Sequence, residues 1–208
     1  MGIVDDIVAR SQKTEHGFND LQLAADEVVS SHDRAAASEI ALALLDSQVH
    51  QARCVGTFIL GQFAAADADA LHILKDRVSQ DSDWRVQEIL AKAFDRFCHD
   101  TGYEAALPVI REWLSATAAN TRRAVTEGLR IWTGRPYFRD HPGEAIALLS
   151  ALRDDESEYV RKSVGNALRD ISKKHPDMVR REVRSWDLTT RGVQQVHKLA
   201  TRIIADRL

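Results

Sequence analysis

The chain has 208 residues, 44% of them hydrophobic, and a formal net charge of -3. This length and apolar content suffice for a folded core and exclude a disordered chain. Two cysteines without a Cys-x-x-Cys pair exclude a disulfide framework and a thiolate metal site, and Cys54 and Cys98 are expected to be small buried residues. No apolar run approaches the roughly 18 residues of a membrane span. Asp5 and Asp6 replace the basic residues that begin a signal peptide, so we expect a cytoplasmic protein with no membrane partner.

Charge is distributed unevenly along the chain. Residues 1–104 carry nine Lys and Arg against eighteen Asp and Glu, whereas residues 105–208 carry nineteen against thirteen, so the two halves have net charges of -9 and +6. A basic half in an acidic chain favours an anionic partner such as DNA, because its positive potential concentrates a polyanion. The alternative is a chance distribution of charges on solvated helical faces.

Apolar residues follow a helical period along the chain. The segments VQEILAKAFDRFC (86–98) and VRKSVGNALRDIS (160–172) place them at i, i+4, i+7, i+8 and i+11, and no stretch alternates with period two. Pro142 and Pro176 each follow a histidine at a predicted loop or helix start. The pattern predicts an all-α protein.

An internal repeat organises these helices. Its anchor, the first core position of the second helix in each unit, recurs at spacings of 34, 35, 39 and 33 residues, at Ala52, Val86, Thr121, Val160 and Val193. Such a period indicates stacked helical hairpins. We therefore expect a right-handed α-solenoid of HEAT-like hairpins, a single domain over residues 1–208 with five hairpins, or six if a further unit starts near Phe18.

Two carboxylates are expected to line a groove formed by the second helices. Six and ten residues after the anchors, positions lie off the packed stripe; they hold Phe58, Lys92, Glu127, Asn166 and Leu199 at +6, and Gln62, Arg96, Ile131, Asp170 and Ile203 at +10. Basic residues surround Glu127 and Asp170, and neighbouring helices pack about 8–10 Å apart, so both acids can share one groove with a basic rim. The alternative is that each acid only forms surface ion pairs, Glu127 with Arg123 and Arg130, and Asp170 with Lys174.

Two segments resemble a known family. RRAVTEG (122–128) with the basic and aromatic run that follows, and LRDDESEYVRKSVGNALRDISKKHPDMV (152–179), are similar to the HEAT-repeat alkylpurine DNA glycosylase superfamily of AlkD and AlkC type. The matching positions are Thr126, Glu127, Gly128, Asn166, Asp170, Ile171, Lys173, His175 and Pro176. QDSDWRVQEIL (80–90) also resembles the acidic and aromatic helix start of this family, through Asp83 and Trp84.

The resemblance implies a DNA repair hydrolase that excises cationic 3-methyl- or 7-methylpurines from double-stranded DNA. Glu127 and Asp170 are then the catalytic carboxylates, and the substrate-binding residues are Asp83, Trp84, Trp132 and Asn166. Basic residues near them are expected to bind DNA phosphates: Arg123, Arg130, Arg161, Lys162, Arg169, Lys173, Lys174 and Lys198. No metal or organic cofactor is expected, and the protein is expected to be a monomer.

Two other functions are compatible with the same pattern. One is a HEAT-repeat module that binds DNA or a protein without catalysis, and the other is a protein–protein scaffold, which basic residues on the convex face would favour. Each tryptophan has an alternative role in packing between repeats rather than in stacking on a base. The motifs of zinc hydrolases, P-loop proteins and dinucleotide-binding proteins are absent from the sequence.

Overall fold

All regular structure in the described chain is helical. The computed structural model describes residues 2–14 and 16–204, and within these ranges it contains thirteen α-helices, two short 3-10 turns and no strand. The all-α prediction is confirmed. No helix in the described ranges is long and apolar enough to cross a membrane.

The chain divides into two compact units at Thr101 and Gly102. Six helices belong to the first unit: α1 (Ile3–Ser11), α2 (Asn19–Ser31), α3 (Arg34–Leu45), α4 (His50–Phe63), α5 (Ala68–Asp76) and α6 (Trp84–Thr101). Seven belong to the second: α7 (Leu107–Leu114), α8 (Ala119–Gly128), α9 (Pro136–Asp140), α10 (Pro142–Ser150), α11 (Glu158–Ser172), α12 (Pro176–Arg184) and α13 (Arg191–Thr201). The single domain with five or six hairpins stays a prediction.

The predicted repeat register is confirmed. Each of the five anchors is the third residue of its helix, in α4, α6, α8, α11 and α13, and each is buried. Within the first unit α4 packs against α3 and α6, and within the second α11 packs against α8 and α13. The anchored helices of each unit thus pack against one another, and we call them the inner helices.

A polar residue follows every anchor and holds the loop before its helix. Each side chain donates a hydrogen bond to the carbonyl oxygen six residues earlier; the residues are Arg53, Gln87, Arg122, Arg161 and Gln194. Loop carbonyls need such donors because they have no partner in a helix. The repeat therefore extends to the polar contacts that fix where each inner helix begins.

Two of these arginines also join one hairpin to the next. Arg122 donates through Nε and Nη2 to the Asp155 carboxylate, at 2.6 and 2.8 Å, and both side chains are buried. Arg53 makes the equivalent contacts with Asp81, at 2.5 and 3.1 Å. Paired bonds of this kind fix orientation as well as distance, so they set how successive hairpins stack within each unit.

Close helix contacts depend on glycine. A Cβ atom on Gly165 of α11 would lie 2.6 Å from Cβ of Leu199 on α13, and one on Gly61 of α4 would lie 2.7 Å from Cβ of Ala93 on α6. Both neighbouring atoms are Cβ atoms, which cannot move away unless the backbone of Leu199 or Ala93 moves as well. These glycines therefore permit the separation at which the inner helices of both units pack.

The longest repeat contains an extra segment between α8 and α10. After Gly128 the chain forms a 3-10 turn, Trp132–Gly134, and then the short helix α9. Arg135 donates to the carbonyl oxygens of Gly128 and Arg130, which stabilises this turn against the end of α8. The 39-residue spacing before Val160 accommodates this segment, which contains Arg130, the partner of Asp170 in α11.

Candidate nucleic-acid interface

One arginine joins the two predicted catalytic carboxylates. Glu127 lies in the last turn of α8 and Asp170 in the last turn of α11, within the same unit. Arg130 donates through Nε to Oδ2 of Asp170 at 2.9 Å and through Nη1 to Oε2 of Glu127 at 3.4 Å. This shared guanidinium makes the two acids neighbours, while the groove that both were expected to line stays a prediction.

Asp170 is almost buried and surrounded by cations. Its side chain is 5% exposed; Oδ1 accepts a hydrogen bond from Nζ of Lys173 at 2.8 Å and lies 3.6 Å from Nη2 of Arg169. Burial, the largest influence, opposes ionisation, but the hydrogen bonds from Lys173 and Arg130 together with their charges lower the pKa of Asp170. Asp170 is therefore a carboxylate held in its charged form.

Glu127 is the more accessible acid. Its side chain is 20% exposed, and its bond to Arg130 is longer than the bond that Arg130 makes with Asp170. The direct contact with substrate expected of Asp170 does not fit its surroundings, because both of its oxygens are occupied by cations. Glu127 is therefore the more accessible of the two carboxylates, and the catalytic role of both acids stays a prediction.

Some of the predicted DNA-binding residues lie around Asp170, and the others lie elsewhere on the helices of the second unit. Arg130, Arg169 and Lys173 surround Asp170, and Lys174 is exposed beside them at the end of α11. Lys162 is exposed and paired with Glu158, Lys198 is exposed on α13, and Arg123 is partly buried on α8.

Arg161 differs from this expectation. Its Nη1 donates to the carbonyl oxygens of Asp155 and Glu156, and its Nε donates to Gln195. This guanidinium is partly buried and fixes the loop before α11, whereas phosphate binding by Arg161 stays a prediction. Arg161 makes these loop contacts because it occupies the position after an anchor, where the side chain binds the preceding loop in every repeat.

Two of the predicted substrate-binding residues in the second unit, Trp132 and Asn166, differ in their exposure. Trp132 is fully buried against Phe138, with ring centroids 4.9 Å apart, and its Nε1 points to the carbonyl oxygen of Thr126. Stacking of Trp132 on a base is therefore wrong, because no face of the ring reaches solvent; the tryptophan supports the turn after α8. Asn166 is partly exposed on α11, one helical turn before Asp170.

Asp83 and Trp84 belong to the first unit, at the start of α6. Trp84 is 61% exposed, and the guanidinium of Arg85 lies 5.0 Å from its ring centroid. Oδ1 of Asp83 accepts a hydrogen bond from the backbone N–H of Arg85, so the carboxylate stabilises the first turn of α6. Trp84 thus keeps the exposed face that stacking requires, whereas Asp83 has a structural role in the helix start.

Arg202 is a cation that was not predicted, although it belongs to a recurring series with Arg130 and Arg169. Nine residues after the anchors of α8, α11 and α13 stand Arg130, Arg169 and Arg202, and Arg202 is exposed. The register of the repeat could have identified this series before the structure. Among the described residues, no group of three or more His, Cys, Asp or Glu side chains is arranged to hold a metal ion.

Two solved structures from Streptococcus mutans resemble the whole chain. The crystal structure of AlkD2 is 47% identical in sequence, with a TM-score of 0.93 over 97% of this chain and 99% of that chain. The structure of smu.31 from strain UA159 is 44% identical, with a TM-score of 0.92 over 98% of this chain and 100% of that chain. The resemblance to proteins of AlkD type is therefore confirmed.

More distant relatives share the fold or a segment. The alkylpurine DNA glycosylase AlkC of Pseudomonas fluorescens, bound to DNA containing an abasic site analog, is 21% identical, with a TM-score of 0.51 over 97% of this chain and 64% of that chain. The uncharacterized protein YhaZ of Bacillus subtilis strain 168 is 36% identical over 87 residues, which are 40% of this chain and 24% of YhaZ. The aligned part of this chain thus spans about a quarter of YhaZ.

A family-level match covers most of the sequence. Residues 19–201 match the family described as DNA alkylation repair enzyme. This range contains α2 to α13, together with Glu127, Arg130 and Asp170. The chain therefore belongs to the DNA alkylation repair enzyme family.

Proposed function

We propose that this protein excises cationic alkylated purines, such as 3-methyl- or 7-methylpurines, from double-stranded DNA. The observation that carries the proposal is a partly exposed carboxylate, Glu127, that borders a cluster of arginine and lysine side chains in the second unit. Cations hold the phosphates of a strand, and a carboxylate among them meets a positive charge that develops on the sugar. Membership of the DNA alkylation repair enzyme family supports the same substrate class.

The chemistry requires little more than electrostatic stabilisation. Alkylation at N3 or N7 makes the purine cationic, so the base departs with the electron pair of the glycosidic bond and becomes neutral. The deoxyribose then carries oxocarbenium-like positive charge, which Glu127 stabilises. Water adds to the sugar carbon and releases one proton, for which Glu127 is a suitable acceptor. No general acid is needed because the leaving base is already charged.

Asp170 contributes through Arg130. Arg130 makes its shorter hydrogen bond to Asp170, so Asp170 draws the guanidinium away from Glu127 and leaves more of the Glu127 charge uncompensated. We therefore assign Asp170 as a positioning residue and Glu127 as the catalytic residue. Replacement of Asp170 allows Arg130 to pair fully with Glu127, which lowers the charge available to the sugar.

The test is release of methylated base from duplex DNA under single-turnover conditions. Glu127→Gln keeps the size of the side chain and loses its charge, so excision should fall by about tenfold to a thousandfold. Binding of the same duplex should remain or improve, because a negative charge near the phosphates is removed. Glu158→Gln is a matched control, since Glu158 is an exposed carboxylate paired with Lys162. Equal excision by wild type and Glu127→Gln would contradict the proposal.

A second function is favoured by a specific observation. Both carboxylates are paired with Arg130, which partly neutralises the negative charge that would stabilise a sugar cation. The ring of Trp132 is buried and has no face that could stack on a base. This arrangement fits a protein that binds DNA without breaking a glycosidic bond. Duplex binding by a wild-type protein that releases no methylated base would support this second function.

A further inference from the structure

Three cations contact the carboxylate of Asp170. Arg130 and Lys173 each donate a hydrogen bond to a different oxygen of Asp170, and Arg169 approaches the second of these oxygens. We call Arg130, Arg169 and Lys173 the cation cluster. Three positive charges face the two negative charges of Asp170 and Glu127, so the local sum is +1.

The cation cluster retains donors for a further anion. An ammonium group has three N–H donors, and Lys173 directs one of them to Asp170 while its side chain is 56% exposed. The Nη2 group of Arg130 makes neither of the two bonds that join Arg130 to the carboxylates. These groups point to an oxyanion with several acceptors, such as a phosphodiester.

Asp170 reduces the entropic cost of binding such an anion. Free arginine and lysine side chains lose about 1–2 kcal/mol of rotamer entropy when a ligand immobilises them. The carboxylate of Asp170 is nearly buried, so it holds the cations together while it is itself shielded from the ligand. The order is therefore present before binding, which increases affinity.

We propose that the cation cluster is a phosphodiester-binding subsite that Asp170 organises. The proposal rests on the DNA binding in the proposed function, and it does not depend on excision. It makes Asp170 necessary for DNA affinity, although removal of a carboxylate ordinarily tightens the binding of a polyanion. The sign of the effect therefore distinguishes an organising carboxylate from one that repels phosphates.

The experiment measures binding of the full chain to an undamaged duplex by fluorescence anisotropy over a series of salt concentrations. Asp170→Asn should weaken binding about five- to tenfold and reduce the salt slope by about 0.9 for each phosphate that the variant no longer binds. Asp177→Asn is the matched control, because it makes the same charge change at an exposed aspartate that is also paired with an arginine, Arg180. This control should bind as the wild type does or slightly more tightly.

Tighter binding by Asp170→Asn, or an effect equal to that of the control, would overturn the proposal. A second pair of variants covers the case in which Asp170→Asn does not fold. Lys173→Gln removes a cation held by Asp170, whereas Lys174→Gln removes its exposed neighbour, and Lys173→Gln should lower the affinity and the slope more. Equal effects at the two lysines would also overturn it.

These measurements separate the two proposals. Undamaged DNA contains no leaving base, so a loss of affinity in Asp170→Asn cannot arise from lost excision. Conversely, a wild-type protein that releases no methylated base would contradict the proposed excision and leave the phosphodiester subsite intact.

Discussion

Single residues at this site have roles that their type alone does not define. Glu127 and Asp170 are both acids in the last turn of an inner helix, yet one is partly exposed and the other is nearly buried among cations. A charged carboxylate in a buried position is stable only when hydrogen bonds and opposite charges replace its hydration. Asp170 therefore depends on Arg130 and Lys173, and their positions depend on Asp170.

Stability should depend on pH through Asp170. Its pKa is lowered from the ordinary value of 3.8 in the folded state, where hydrogen bonds and positive charge outweigh burial. Asp170 therefore stabilises the fold at pH values above 3.8, and this contribution is lost as the pH falls through the lower pKa of the folded state. Asp170→Asn should lower the free energy of unfolding by about 1.5–3 kcal/mol at pH 7.

Chemical denaturation at several pH values checks this expectation. The difference between wild type and Asp170→Asn should stay constant from pH 7 down to about 4 and shrink at lower pH, as protonation removes the charge from wild-type Asp170. Asp177→Asn should show little difference at any of these pH values, because Asp177 is exposed. A difference that persists unchanged at low pH would contradict the assigned ionisation.

Elements are joined in this protein by side chains that repeat with the helices. The polar residue after each anchor binds the preceding loop, and two of the three arginines at this position, Arg53 and Arg122, also reach an aspartate of the following hairpin. Helix packing and polar contacts thus recur with one period. The order of the hairpins within a unit is set by both.

Arg122→Gln should be strongly destabilising. The substitution leaves Asp155 buried without its partner and removes the donor to the carbonyl oxygens of Ala116 and Thr117. Loss of one partner of a buried ion pair costs about 3–5 kcal/mol. Urea denaturation should show this loss. Arg139→Gln is the control, because it breaks an exposed pair with Asp140, and it should change the stability little. Similar stabilities of the two variants would show that the buried pair does not join the hairpins.

Gly165→Ala tests the contact between α11 and α13. The added methyl group meets Cβ of Leu199 at 2.6 Å, and the helices must separate to accommodate it. Such overpacking costs about 1–3 kcal/mol. Gly134→Ala is the control, because no atom lies within 4 Å of a methyl group there. A thermal melt of Gly165→Ala that matches wild type would mean that the two helices tolerate a larger separation.

At the scale of the whole molecule, charge follows the division into units. The first unit, residues 1–101, has nine Lys and Arg against seventeen Asp and Glu, and the second, residues 102–208, has nineteen against fourteen. The resulting net charges are -8 and +5. A polyanion is attracted to the second unit and repelled by the first, independently of any specific contact.

Neutralisation of two cations should therefore have different effects in the two units. Lys198→Gln with Arg202→Gln should reduce the slope of log K against log salt for duplex binding by up to about 1.8, since each phosphate contact contributes about 0.9. Arg34→Gln with Arg77→Gln removes the same charge from exposed positions of the first unit and should leave the slope unchanged. Equal slopes for the two double variants would contradict a DNA-binding role for the second unit.

The sequence by itself determined the helical class, the repeat register and the neighbourhood of Glu127 and Asp170. Apolar residues recur with the geometry of a helix, and the third position of every inner helix is apolar or small enough to be buried, from Ala52 to Val193. Both the periodicity and the spacing are properties of a linear pattern. They therefore appear in the sequence without knowledge of contacts between distant residues.

Only the tertiary structure decided what the individual polar and aromatic side chains do. Trp132 and Trp84 both stand near arginines in the sequence, yet packing buries the first completely and leaves the second exposed. Arg161 and Arg130 are both basic, but one binds loop carbonyls and the other binds Asp170, forty residues along the chain. Burial and long-range pairing depend on how helices pack in three dimensions, so local residue type and spacing could not assign these roles.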